Sequence, residues 1–167
     1  MTEIELTRAP TDRRLYLLDG VGAVRLEGWS GRKATAEADG RRWGFARRGF
    51  WQRAIQATDE TGAVVGEFTP KSIRRGGKLR WGARELVLEP VGLRERYALS
   101  EQDRDLARLD AKGWGRRPVK ITLADPHAID PGLLLFAAFV VHLLAGDSMT
   151  AASAGSTAVA SSGSYNG

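Results

Sequence analysis

Six basic residues form the group in this sequence that is best suited to binding chemistry. They are Arg47, Arg48, Lys71, Arg74, Arg75 and Lys78. The last four fall within residues 70–78, where two adjacent glycines would let a ligand approach the backbone closely. Guanidinium and ammonium groups bind phosphate oxygens by charge-assisted hydrogen bonds, and each contributes about 1 kcal/mol near an anionic membrane. The cluster therefore predicts a site for phosphate-bearing partners. The alternative is a hairpin tip whose charges only keep the protein soluble.

Residues that could carry covalent catalysis are scarce. The sequence contains no G-x-S-x-G, H-E-x-x-H, G-x-G-x-x-G or P-loop motif, and it has no cysteine. His127 follows a predicted turn and should face solvent. His142 lies in an apolar segment, where burial favours the neutral imidazole, so we expect a hydrogen-bonded core residue or one near the mouth of the fold. We predict that the protein is not an enzyme and needs no metal or cofactor.

Five tryptophans offer a different chemistry, the stacking of nucleic-acid bases. Trp51 and Trp81 lie on predicted strand faces with apolar companions, and this favours packing in the core. The most suggestive combination is the aromatic pair Phe50-Trp51, which follows closely after Arg47 and Arg48. Binding of single-stranded nucleic acid is therefore an alternative function.

Positive charge is concentrated in the middle of the chain. The net charge is +5, and residues 41–80 hold ten Lys or Arg against three Asp or Glu. Residues 121–147 contain no Lys or Arg. Exposed basic clusters attract anionic lipid headgroups, nucleic acid or acidic protein surfaces.

Most of the chain has the pattern of short strands joined by tight turns. From about residue 15 to 124, apolar and polar residues alternate with a period of two. Asp39-Gly40, between the runs 33–38 and 42–46, is a strong signal for a two-residue hairpin. Turns recur about every 8–12 residues, a spacing that favours a sandwich or barrel. Residues 104–110 fit either a strand or a helical turn.

One segment near the C-terminus is predicted to be a helix. Asp130 is a candidate N-cap, Pro131 suits the first helical position, and residues 133–145 are apolar nearly all round. This run is shorter than the roughly 20 residues that a bilayer span needs, so we expect no transmembrane helix. A helix without a polar face must be surrounded by protein or lipid, so an interfacial or membrane-inserted role is the alternative to burial in the fold. No single flat sheet covers such a helix. A closed antiparallel β-barrel with the helix through its centre does.

These features resemble the tubby C-terminal-like superfamily, which includes tubby domains, phospholipid scramblases and the LURP-one-related proteins of plants and bacteria. The resemblance rests on short strands that end in Val119-Lys-Ile-Thr-Leu123, followed by Asp130-Pro131 and an apolar C-terminal helix. It covers roughly residues 12–146. It implies a barrel of about twelve antiparallel strands around a central helix, and association with phosphoinositides or membranes as in tubby proteins. Cysteines for acyl anchors and a proline-rich N-terminal region are absent, which argues against lipid scrambling.

The predicted organisation has three parts. Residues 1–11 are an N-terminal extension, residues 12–146 form the barrel with its helix at about 131–145, and residues 147–167, rich in Ala, Ser and Gly, are a disordered tail. The N-terminus does not have the pattern of a signal peptide, so we expect a cytoplasmic protein that associates peripherally with the inner membrane face.

The predicted function is that of a non-catalytic binding module that docks a basic face on anionic phospholipid headgroups or on an acidic protein. A second alternative, besides nucleic-acid binding, is a small-molecule or lipid carrier, or an enzyme, with a pocket at the barrel mouth near His142.

Overall fold

The computed structural model describes residues 1–28, 30–49, 53–71, 76–92, 95–111 and 119–155. Within them the chain forms twelve strands, a short 3-10 turn and one long helix. The elements are β1 (Thr2–Arg8), β2 (Leu15–Leu18), β3 (Gly22–Glu27), β4 (Lys33–Ala38), β5 (Arg41–Arg48), β6 (Ala54–Thr58), β7 (Val64–Pro70), β8 (Gly77–Trp81), β9 (Arg84–Pro90), β10 (Arg96–Glu101), β11 (Arg104–Asp110), β12 (Val119–Leu123), the turn Pro126–Ala128 and α1 (Pro131–Gly155).

The strands form a closed antiparallel barrel, as predicted. Each strand pairs with its neighbours in the chain, and β1 pairs with β12 to close the wall. Asp39-Gly40 connects β4 and β5 as the predicted two-residue hairpin, with Ala38 opposite Arg41. Residues 104–110 are a strand, which settles the alternative left open by the sequence. Closure leaves no strand edge exposed for pairing with other chains.

The prediction of an N-terminal extension over residues 1–11 was wrong, because β1 is the strand that closes the barrel. Thr2 pairs with Leu123 and Leu6 with Val119, and the Leu6 side chain is buried in the core. The signal was present in the alternation Glu3-Ile4-Glu5-Leu6, which has the period of a half-buried strand. Without this strand, β12 would expose a row of unpaired backbone groups.

Helix α1 fills the barrel, as predicted. Its residues from Gly132 to Val141 are all buried, and the described part of the wall contributes inward apolar side chains from every strand. Phe136 and Phe139 pack on Phe45 of the wall, with ring centroids 5.2 and 5.6 Å apart. The barrel interior is therefore a packed core.

The two ends of the barrel are defined by the helix. The base is the end at which α1 begins, and it carries the connections 19–21, 39–40, 59–63, 82–83, 102–103 and 124–130. The rim is the end at which α1 leaves, and the connections that follow β1, β3, β5, β7, β9 and β11 lie there. Residues 131–147 of α1 extend over about 25 Å, which matches the length of a strand of seven or eight residues.

The helix is longer than predicted. It continues beyond Ala145 to Gly155, so the prediction of disorder was wrong for residues 147–155. The buried part supplies the costly nucleus, after which each added residue gains a hydrogen bond, and Ala151, Ala152 and Ala154 are strong helix formers. Residues 156–167, which belong to the same predicted tail, lie outside the described residues.

Asp130 caps the helix at the base, as predicted. Its Oδ2 accepts hydrogen bonds from the backbone N of Leu133 and from Nε1 of Trp81, both at 3.2 Å. Its Oδ1 accepts from Nη2 of Arg41 at 2.8 Å. The carboxylate thus joins the start of α1 to β5 and β8.

Gly132 on α1 has no room for a side chain. A Cβ at this residue would lie 2.7 Å from Cζ2 of Trp43 and 2.8 Å from Cζ2 of Trp81, two rings that pack on each other. We expect Gly132→Ala to lower the free energy of unfolding by about 1–3 kcal/mol in urea titrations, because overpacking outweighs the higher helix propensity of alanine.

Gly146 provides a matched control for this substitution. It lies on the same helix, and a Cβ there would have no neighbouring heavy atom within 4 Å. Gly146→Ala should therefore raise the free energy of unfolding by up to about 1 kcal/mol. Equal effects of the two substitutions would contradict the steric argument.

Candidate functional site

Four of the six predicted cations lie in the described part of the chain, and the structure places them at the rim. Arg47 and Arg48 end β5, Lys71 follows β7, and Lys78 is the second residue of β8. Arg74 and Arg75 lie outside the described residues. The strands β5 to β8 are neighbours in the barrel wall, so the four side chains share one sector of the rim.

Arg47 and Arg48 point to opposite faces of the wall. Arg47 lies on the same face of β5 as Trp43 and Phe45, which are buried against α1. Its Nη2 donates to Oδ2 of Asp147 on the helix at 2.5 Å, and its side chain is only 15% exposed. Arg47 therefore holds the helix to the wall at the rim. Arg48 is exposed on the outer face.

Lys71 and Lys78 are also exposed. Lys71 donates from Nζ to Oε1 of Glu89 at 2.9 Å, in a pair whose side chains are about half exposed. Lys78 alternates with the buried Gly77 and Leu79 and therefore points outward. Arg48 and Lys78 lie on strands three positions apart, which separates them by about 14 Å. The arrangement is a spread of outward cations along one sector of the rim.

A groove of about 330 Å³ runs along the outer face of β5 beneath this sector. Gly44 and Ala46, which lack long side chains, form its floor. Lys33 on β4 and Gln56 on β6 flank Ala46 on its two sides. Arg48 lines the groove at the end nearest the rim. The groove is open. Its polar lining consists of three cations, one carboxylate, two hydroxyls and an amide, from Lys33, Arg47, Arg48, Glu27, Thr35, Thr58 and Gln56. Its volume is at the lower limit for small-ligand sites.

Lys33 was not among the predicted site residues. The hairpin at Asp39-Gly40 fixes the register of β4 and β5, which sets Lys33 opposite Ala46. Ala46 lies two residues before the end of β5. This register could have been read from the sequence, because a two-residue turn sets the pairing of its strands. The outward alternation Arg42, Gly44, Ala46, Arg48 would then have shown a trough with a cation at each end.

In the described part of the chain, the histidines and carboxylates do not form a second candidate site. His127 is exposed, as predicted. Among the described residues, no group of three or more His, Asp or Glu could hold a metal ion. Two further grooves formed by described residues, of about 240 and 270 Å³, also lie on the outer wall.

His142 lies inside the barrel near the rim. Its ring centroid is 6.4 Å from that of Tyr16, and a Cβ on Gly31 would lie 3.8 Å from its Nε2. Burial lowers the pKa of His142 from 6.5 to about 4. The imidazole is therefore neutral at pH 7.

The lowered pKa of His142 predicts a loss of stability in acid. Between pH 6.5 and 4 the unfolded chain binds a proton at this residue and the native state does not. The free energy of unfolding should therefore fall as the pH falls, by about 1.4 kcal/mol per unit in this window, and the contribution is constant above it.

We expect wild type to lose about 2 kcal/mol more than His142→Gln between pH 7 and pH 5, measured by urea unfolding. The glutamine variant keeps the polar character and volume of the site, and the other titrating groups are the same in both proteins. Parallel pH profiles would contradict the lowered pKa.

Comparisons of the chain with models of protein families, with curated proteins and with solved structures returned no match. In the part of the chain that the structure describes, no helix has both the length and the apolar character needed to cross a membrane.

Proposed function

We propose that this protein is a non-catalytic binding module that docks the rim of its barrel on anionic phospholipid headgroups, peripherally at the cytoplasmic face of a membrane. The observation that carries the proposal is the set of outward cations on β4 to β8. Lys33, Arg48 and Lys78 are exposed and have no ion pair among the described residues. Arg47, by contrast, is paired with Asp147 of the helix, and its side chain is only 15% exposed.

The energetics favour a charged surface as the partner. Each cation near an anionic membrane contributes about 1 kcal/mol, so four outward cations supply about 4 kcal/mol. The pair between Lys71 and Glu89 subtracts little, because exposed ion pairs are worth about 0–1 kcal/mol and exchange partners readily. Attraction of this size is sufficient for reversible docking and depends strongly on ionic strength.

The groove on β5 adds a place for a headgroup. Its glycine and alanine floor lets a ligand contact the backbone, and Lys33 and Arg48 stand where a phosphate would approach from the rim. Thr35 and Thr58 donate their hydroxyl hydrogens within the protein, so their oxygens can accept hydrogen bonds from the hydroxyls of a headgroup. Gln56 donates one amide hydrogen to Glu67 and has a second for a headgroup. We propose that the groove accepts the headgroup while the surrounding cations contact neighbouring lipids.

The tubby-like resemblance supports the same proposal. It implies a closed barrel around a hydrophobic helix, and this chain has that architecture. We propose membership of that superfamily on this basis. Trp43 and Trp81, which pack on each other inside the barrel wall, are not free to stack on bases.

Vesicle flotation tests the proposed function. The protein should float with phosphatidylcholine vesicles that contain phosphatidylglycerol, and not with phosphatidylcholine alone. Binding should disappear at high salt, because the Debye length falls from about 10 Å at 0.1 M to about 3 Å at 1 M. Failure to bind anionic vesicles at low salt would refute the proposal, and retention of a single-stranded oligonucleotide by the same protein would favour nucleic acid.

A further inference from the structure

The base of the barrel is acidic. Its connections are described in full, and they carry seven Asp or Glu and no Lys or Arg. Every base connection except 82–83 contributes at least one carboxylate, as at Asp19, Asp39 and Asp103. When the first and last strand residues at this end are included, the base has eight acidic residues against three basic ones.

The rim has the opposite charge. The described residues of its connections contain two carboxylates and five cations, namely Arg13, Arg14, Arg32, Arg53 and Lys71. With the strand ends included, the described rim has nine basic residues against four acidic ones.

We infer that the protein binds an anionic bilayer end-on, with the rim against the headgroups and the base facing away. The barrel axis is then perpendicular to the plane of the membrane. This inference rests on the proposed function and adds the geometry of docking. It also extends the binding surface beyond the sector formed by β5 to β8 to described cations on other connections of the rim, such as Arg13, Arg14 and Arg32.

The balance of charge selects this orientation. The described rim has a net charge of +5 and the base has −5, so a barrel lying on its side brings acidic groups to the surface together with the basic ones. Standing on its rim, the barrel holds the base about 25 Å from the headgroups, which is more than twice the Debye length of about 10 Å at 0.1 M salt. The attraction between the rim and the headgroups then acts at contact, and the repulsion between the base and the headgroups is screened by salt.

The orientation has a consequence for the helix. α1 leaves the barrel at the rim and continues from Asp147 to Gly155, a further length of about 12 Å. End-on docking directs this part of the helix toward the bilayer. The sequence after Asp147 contains no charged residue, so no like charge opposes its approach to the headgroups.

Single-cysteine labelling tests the orientation, because the chain has no cysteine of its own. An environment-sensitive fluorophore is attached at Val91→Cys on the rim, at Ala83→Cys on the base, or at Ala98→Cys or Glu67→Cys on two sides of the wall. Each labelled protein is mixed at low salt with vesicles of phosphatidylcholine and phosphatidylglycerol. The rim label should show a blue shift, a severalfold rise in intensity and quenching by a lipid-borne quencher, and the base and wall labels should not change.

The outcomes separate this inference from the proposed function. Flotation of all four proteins with a response from one wall label or from the base label would overturn the end-on geometry and leave lipid docking intact. Absence of flotation would overturn both. Asp19→Lys with Glu60→Lys changes the charge of the base from −5 to −1 and removes most of the repulsion that opposes side-on binding. Introduced into the two wall-labelled proteins, it should produce a response from one of the wall labels. If neither wall label responds, the acidic base has no part in the orientation.

Discussion

Reversal of three outward cations at the rim should abolish binding to anionic vesicles. In the variant Arg48→Glu/Lys71→Glu/Lys78→Glu, the loss of three attractions of about 1 kcal/mol each weakens binding by at least about 100-fold, and the new carboxylates add repulsion. All three side chains are exposed, so the fold should be retained. Flotation with vesicles of phosphatidylcholine and phosphatidylglycerol measures the effect.

The matched control reverses three exposed arginines on the outer wall close to the base, Arg42→Glu/Arg80→Glu/Arg104→Glu. Both variants change the net charge from +5 to −1, because each reversal removes two positive charges. The control should bind vesicles with an affinity much closer to that of wild type. Equal losses in the two variants would show that overall charge, and not the rim, drives association. Full binding by the rim variant would show that these three cations are not the binding site.

Truncation of the core at Phe136 should have the largest effect on stability. The Phe136 ring is fully buried, 5.2 Å from the ring of Phe45 and 5.7 Å from that of Trp81. Phe136→Ala removes these contacts and leaves a cavity at the centre of the barrel, which costs about 3–5 kcal/mol. Because small domains have only about 5–15 kcal/mol of stability, urea titration should show a much lower midpoint.

Phe136→Leu is the control for this substitution, because it keeps most of the volume and should cost less than about 1.5 kcal/mol. Both variants should bind anionic vesicles under conditions where they are folded, since Phe136 is remote from the outer surface. A cost below about 1 kcal/mol for Phe136→Ala would mean that the helix is not held in a packed barrel.

The sequence was informative wherever a local signal has one physical solution. Asp39-Gly40 fits a tight hairpin because both central residues adopt positive φ, 50° and 71°. Asp130-Pro131 fits a helix start because the carboxylate caps the backbone and proline suits the first turn. The absence of a polar face on α1 required a wall on all sides. These three observations were sufficient to predict a closed barrel around a helix.

The features that the sequence does not predict depend on pairing between distant segments or on the face of a strand. The sequence indicates an extension in place of β1, because the partner strand β12 lies more than 100 residues away. Arg47 and Arg48 are neighbours in the sequence, yet adjacent residues of a strand point to opposite faces. The charge separation between rim and base also depends on topology, since it appears only when alternate connections are assigned to opposite ends.

The position of α1 after all twelve strands has a consequence for biosynthesis. The wall of the barrel is translated before the residues that fill it, and its seam joins the first strand to the last. Until the helix leaves the ribosome, the inward apolar side chains have no native partner, and the high contact order slows closure. Newly made chains should therefore pass through a partly folded, aggregation-prone state in which the inward face of the wall is exposed. A chaperone that shields apolar surface would act most usefully just before the helix leaves the ribosome.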